Sequence, residues 1–423
     1  MSAADNDDDD SDVLNEVGLK KLALIFEKRV LNNQKMRLKY PENAEKFMEQ
    51  SITKLLVSNC LDRLDETVKE ESDAVHNTFS IFENLTEFRP ECCIEIAEQG
   101  LMQWILKRLK IKQYDANKLY CSEVLSILLQ NTNENRILLG SVDGIDVLLQ
   151  QLAIYKRHDP TSDEEKEYME NLFNCICSSL LAKENRMNFL KGEGCQLMNL
   201  MLREKKLSRN GALKVLDYAC AGNDGKENCL KFVDILGLRT IFPLFMKTPK
   251  NKQRLLSSEE FEEHVCSIIS SMLRNTKGGQ KQRLLSKFVE NDFEKVDRLL
   301  ELHLKYLEKV EAIDREIEDQ KRFKRPGAEE DDEEDQEESN YLKRLSGGLF
   351  TLQLIDYVIL EAAISPDGPK IKLRIQQILN LRGSSMKIIK DVMREYAGNL
   401  GDAQNAEWRE QEKQHVLSLI NRF

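Results

Sequence analysis

Residue types that do chemistry are present in this chain, but not at spacings that make a catalytic site. Five histidines are scattered through 423 residues. None falls in a His-Glu-x-x-His run, which would set two ring nitrogens on one helical face for a metal. Ten cysteines include the adjacent Cys92 and Cys93 and the near pair Cys175 and Cys177. No C-x-x-C with a second pair or a following histidine appears, so a zinc site is not expected. Most lie in apolar helical stretches and read as small buried hydrophobes. "KGEG" and "KGGQK" have too few glycines for a phosphate-cradling loop, and G-x-S-x-G is absent. Carboxylates abound, but a general acid needs a desolvated pocket, and these fall on polar helical faces. The expectation is a protein that is not an enzyme and carries no cofactor or metal.

The chain repeats a phrase instead. "ENRILLGSVDGIDVLLQQL" starts at Glu134 and "ENRMNFLKGEGCQLMNLML" at Glu184, each reaching a glycine ten residues later, Gly144 and Gly194. Looser versions centre on Gly100 and Gly237, so the steps are 44, 50 and 43 residues. Armadillo and HEAT units, of two or three helices each, recur every ~40–47 residues. The longest step holds a polar insert, "YKRHDPTSDEEKE". After Gly144 the apolar positions are Ile145, Leu148, Leu149 and Leu152; after Gly237 they are Leu238, Ile241, Phe242 and Phe245. Both sets follow i, i+3, i+4, i+7, one buried helical stripe. The turn before each stripe needs a left-handed residue or a close backbone approach, and glycine supplies either.

These elements predict an all-α fold, an armadillo/HEAT-like right-handed solenoid with atypical N- and C-terminal caps. The 7% aromatic and 32% charged content suits a thin array with much surface. The expected organisation is an acidic tail (1–12), an N-terminal helical cap (13–51), armadillo-like repeats (52–287), a long heptad-like helix (288–322), a disordered basic/acidic connector (323–340) and a C-terminal helical repeat or cap (341–423). In the last of these, Gly383 breaks two helices and Ser384 is read as the N-cap of the second. The heptad runs Val296, Leu299, His303, Tyr306, Val310, Ile313, Ile317. It predicts either a short coiled coil, with possible self-association, or a helix packed on the array. No apolar run approaches 18 residues and no signal sequence is seen, so a soluble chain without a membrane is expected.

Net charge is −11, but it is unevenly placed. "DNDDDDSD" from Asp5 holds six carboxylates and "EEDDEEDQEE" from Glu329 holds nine, so the remainder is near +4. Such runs solvate rather than fold. The near-neutral remainder lacks basic–aromatic stripes, which argues against direct nucleic-acid binding. An array of helices offers a long concave surface for extended segments. Aligning the third helix of each unit places Asn77, Ser80 and Asn84, then Glu123, Ser126 and Gln130, then Glu170, Asn174 and Ser178 on the polar face, with Asp217 further on. The tryptophan–asparagine ladder of importin-α-like arrays is absent, but the carboxylates can pair with lysine or arginine. Lys321, Arg322, Lys324 and Arg325 in "KRFKR" form a candidate nuclear-import cluster.

The wording of several segments is closer than a shared period requires. "LDRLDETVKEESDAVHNTFSIFENLTEFRPE", "DANKLYCSEVLSILLQ", "FLKGEGCQLMNLMLREKK", "KFVDILGLRTIFPLFMK" and "LRGSSMKIIKDVMREYAGNLGD" closely resemble the catenin beta-like family. The resemblance covers residues from about 19 to 423 and implies a nuclear, armadillo-type solenoid. It further implies association with the spliceosome through the nineteen complex and binding of basic segments of cell division cycle 5-like protein. Vertebrate members also bind activation-induced deaminase. The family carries roughly two further ~40-residue repeats between "EKFMEQ" and "ITKLLVSNCLDRLDE", where here Gln50 runs almost directly on. A shorter groove with a repacked N-terminal end is therefore expected. The family's basic N-terminal tail is acidic here, which turns attention to "KRFKR". The repeats alone leave a cytoplasmic armadillo adaptor in adhesion, signalling or transport as the alternative.

Overall fold

The computed structural model describes residues 52–249, 256–323, 333–401 and 406–423. The tail and cap expected over 1–51 lie outside them. The described residues are helical, with no strand among them. The chain divides into two compact units, 1–192 and 193–423.

In the first unit, short turns at Ile52–Leu55 and Leu56–Leu61 lead to α1 (Lys69–Phe88), α2 (Met102–Leu109) and α3 (Ala116–Gln130). α4 (Asn133–Ser141), α5 (Gly144–Leu152), α6 (Asp163–Ser179) and α7 (Lys183–Lys191) complete it. α3 lies between α1 and α6. Their facing sides, Phe79 and Phe82, then Val124, Leu125 and Leu128, then Leu172, Phe173 and Ile176, are buried. Asp115 and Ser162 cap α3 and α6, each side chain accepting an orphan N–H of the first turn.

The repeated Asn-Arg pair is what joins one repeat to the next. Asn135 Nδ2 donates to Cys93 O at 2.9 Å in the preceding repeat and to Leu128 O at 2.8 Å. Asn185 does the same one repeat on, to Arg136 O at 2.7 Å and Ser179 O at 3.0 Å. Arg136 Nε donates to Leu129 O and Arg186 Nε to Leu180 O, both at 2.9 Å. Each arginine thus meets orphan carbonyls where a long helix ends, the end that favours a cation.

The glycines divide between the two roles the sequence left open. Gly100 itself is left-handed, at φ 110°. At the next three turns the residue before the glycine is left-handed: Asp143, Glu193 and Leu236, at φ 58°, 60° and 65°. Gly144 and Gly237 serve close approach instead. A Cβ would lie 2.5 Å from Leu139 Cδ1 at Gly144 and 2.5 Å from Phe232 O at Gly237.

The second unit repeats the plan with α8 (Gly194–Glu204), α9 (Ser208–Cys220), α10 (Lys226–Asp234), α11 (Leu238–Met246), α12 (Ser258–Asn275) and α13 (Gly278–Leu285). A capping box between Ser257 and Glu260 starts α12. α14 (Glu294–Phe323), α15 (Glu333–Arg344), α16 (Phe350–Ala363), α17 (Gly368–Leu381), α18 (Met386–Gly398) and α19 (Ala406–Arg422) follow. α16 is buried on every side from Thr351 to Ala363 because α12, α14, α17, α18 and α19 pack about it. The heptad residues Val296, Leu299, His303, Tyr306, Val310 and Ile317 are buried as α14 packs on this unit's own helices. The seventh seam residue, Ile313, is half-buried.

Two local readings differ from the structure. α15 begins at Glu333, inside the stretch 323–340 read as a disordered connector; its carboxylates lie toward the N-terminal end and Lys343 and Arg344 in the last turn, the arrangement a helix dipole favours. The N-cap of α18 is Ser385, not Ser384, and its side chain makes no cap hydrogen bond. All ten cysteines are buried free thiols.

Candidate protein-binding groove

α1, α3 and α6 each bury one face, and the opposite faces carry the polar residues aligned from the sequence. Asn77, Ser80, Asn84, Glu123, Ser126, Glu170 and Ser178 are half-buried; Gln130 and Asn174 are exposed. Not all are free side chains. Asn84 Nδ2 donates back to Ser80 O at 2.6 Å within α1. Glu170 lies 3.8 Å from Lys166 across one helical turn.

Two further carboxylates, which the alignment passed over, complete the surface. Glu83 accepts from Tyr120 Oη of the neighbouring helix, and Glu167 lies three residues before Glu170. Burial pushes the Glu123 carboxyl above its ordinary value, and the charges of Glu167 and Glu83 push it further. Burial also raises Glu170, with Lys166 opposing and Glu167 adding. Glu123 of α3 therefore sits in a row between Glu83 of α1 and Glu167 of α6, and both of those charges oppose its ionisation. A signal was legible: each missed residue lies three positions from one already chosen, the spacing of a shared helical face.

Asp217 belongs to the second unit and is not an open carboxylate. Its Oδ2 is 2.8 Å from His264 Nδ1 of α12, and both side chains are mostly buried. Of the basic cluster, Arg322 lies exposed near the end of α14, the Lys321 side chain is not among those described, and Lys324 and Arg325 lie outside the described residues. Among the described residues no group of three histidine, cysteine or acidic side chains is placed to hold a metal.

Stacked helical repeats with a polar, carboxylate-lined face define a class: helical-repeat proteins that present surface to other proteins. The family model described as "Catenin-beta-like, Arm-motif containing nuclear" matches residues 1–52 and 48–394, and this chain belongs to that family. It is 49% identical to beta-catenin-like protein 1 of Homo sapiens over 491 aligned positions, covering 97% of this chain and 86% of that one. Identity to the Bos taurus protein is 48% over the same shares. Against the beta-catenin-like protein 1 homolog of Schizosaccharomyces pombe it is 30%, over 82% of this chain and 59% of the relative. The two matched pieces meet at residues 48–52, where the sequence reading placed the missing repeats. The 491 aligned positions exceed the chain's 423 residues by 68, so the human relative holds at least that many without a counterpart here.

Proposed function

We propose that this chain is a nuclear, non-enzymatic scaffold whose first unit takes a lysine- or arginine-bearing segment of a partner protein, in assemblies that act on pre-mRNA splicing. The observation that carries the binding mode is the row of Glu83, Glu123 and Glu167, in which the outer two charges oppose ionisation of the half-buried Glu123. A cation laid along it relieves repulsion already present in the free protein. Family membership supports nuclear residence. The segment resemblance supports cell division cycle 5-like protein and other nineteen-complex subunits as partners.

The test is a tagged pull-down from nuclease-treated nuclear extract with the wild type and the Glu123→Gln/Glu167→Gln variant. Recovery of nineteen-complex subunits by the wild type, reduced about tenfold by the double substitution, is expected for loss of two charge-assisted contacts. Recovery of cytoplasmic adhesion or transport proteins alone favours the adaptor reading. Direct titration with a basic partner peptide adds a pH criterion. Because a bound cation favours ionised Glu123, affinity falls as pH drops through that group's raised pKa and weakens with salt.

A further inference from the structure

α14 is held to its neighbours by charged contacts of two kinds. Most are ordinary. Glu262 of α12 meets Arg298, Lys305 and Tyr306, and Glu259 meets Lys309. Glu263 accepts from Thr351. Asp297 pairs with Arg374 of α17, Asp314 with Arg344 of α15, and Lys295 with Glu290 and Glu294. On α16, Glu361 is held by Lys281 and His415. One contact differs. His303 of α14 and Asp356 of α16 are both 0% exposed, with Nδ1 and Oδ1 2.6 Å apart. His303 Nε2 and Asp356 Oδ2, the second polar atom of each, make no hydrogen bond. Among the described residues, no third charged group acts on either.

We propose that His303 and Asp356 form a protonation-controlled latch: α14 stays docked on α16 while the imidazolium–carboxylate pair keeps its shared proton and opens locally once that proton is lost. A buried imidazolium facing a carboxylate is neutral as a pair. Losing the proton leaves one negative charge in the core, with a neutral imidazole as its hydrogen-bond partner among the described residues, a costly arrangement. The titration directions agree. Burial disfavours the His303 cation, but the Asp356 carboxylate outweighs it and the net movement is upward. Burial pushes Asp356 up as well, with His303 opposing. Both groups bind protons more readily folded than unfolded, so docking weakens as pH rises, from below the ordinary imidazole value through the raised one.

Cys266 reports the opening. It is buried and lies one turn beyond Glu262 on α12, which itself meets Arg298, Lys305 and Tyr306 of α14. The experiment labels the full chain with a thiol reagent from roughly pH 5.5 to 8.5, bracketing imidazole titration, and reads Cys266 by mass spectrometry. Each rate is divided by that of the His303→Leu/Asp356→Leu variant at the same pH, which cancels thiol ionisation. The expected ratio climbs by up to about tenfold per pH unit across the His303 titration. If the double variant does not fold, Asp356→Asn is the reference. Nitrogen-15 histidine NMR of the wild type supplies the second measurement, with His303 expected to titrate above the ordinary 6.5. A flat ratio, or a ring titrating at or below that value, overturns the latch.

Discussion

Asn185 shows how much one side chain does in a repeat. It is wholly buried, and its amide bridges a carbonyl of the preceding repeat to one at the end of α6. Gly140 makes room for it: a Cβ there would lie 1.8 Å from Asn185 Oδ1. Asn185→Ala leaves two carbonyls without that donor, so a loss of about 2–4 kcal/mol is expected, read as a lower denaturant midpoint. Gly140→Ala reaches the same site by overpacking and is expected to cost about 1–3 kcal/mol. Because both act on one contact, the double variant should fall short of the sum; full additivity would show the two are independent. Lys118 is a second case. It is 1% exposed, donates to Gln151 Oε1 at 2.9 Å and lies over the Tyr168 ring. Burial, helped by the Arg108 charge, brings its pKa down to about 8. The folded state then holds fewer protons than the unfolded one between that value and the ordinary 10.5, so stability rises with pH across the window. Wild type is expected to gain about 2–3 kcal/mol on Lys118→Met between pH 8 and 10.5; parallel denaturation curves for the two would contradict it.

At the scale of elements, periodicity carried far. The stripes after Gly144 and Gly237 are helices with Ile145, Leu148 and Leu152, and Ile241, Phe242 and Phe245, inside, because a 3.6-residue repeat has one solution once a face must be buried. The phrase Glu-Asn-Arg was visible as repetition, but its purpose was not. Sequence shows that Asn135 and Asn185 recur; only packing shows that they reach carbonyls more than forty residues back. The groove was half legible for a related reason. Alignment found Glu123 and Glu170, but the effect of Glu83 and Glu167 on their ionisation depends on distances between helices. Asp217 fits the same polar pattern, and no local signal announces that His264, on the next long helix, has claimed it. The heptad of α14 predicted a buried seam without saying against what; α16, buried on every side, is the answer.

For the whole molecule, the question is how a chain of net charge −11 fits the role proposed above, binding a basic segment. The charge is unevenly distributed. Without its two acidic runs the chain is near +4, and the row of Glu83, Glu123 and Glu167 is a local feature rather than a reflection of the total. The same unevenness sets the basic cluster just before the second acidic run. Arg322 is 73% exposed, and its ion pairs to Glu318 and Asp319 are 3.8 Å contacts along its own helix. Exposed pairs of that kind are worth roughly 0.3–0.5 kcal/mol, so a receptor can displace them at little cost. Replacing Lys321, Arg322, Lys324 and Arg325 by alanine removes four charges, and the described one, Arg322, makes only these exposed contacts. The expected outcome is a fluorescent fusion that shifts from nucleus to cytoplasm while its thermal unfolding stays within about 0.5 kcal/mol of wild type. Retained nuclear signal would move the import function to another segment. A shift accompanied by clear destabilisation would mean the cluster supports the fold, and binding assays on that variant would then report damage rather than address.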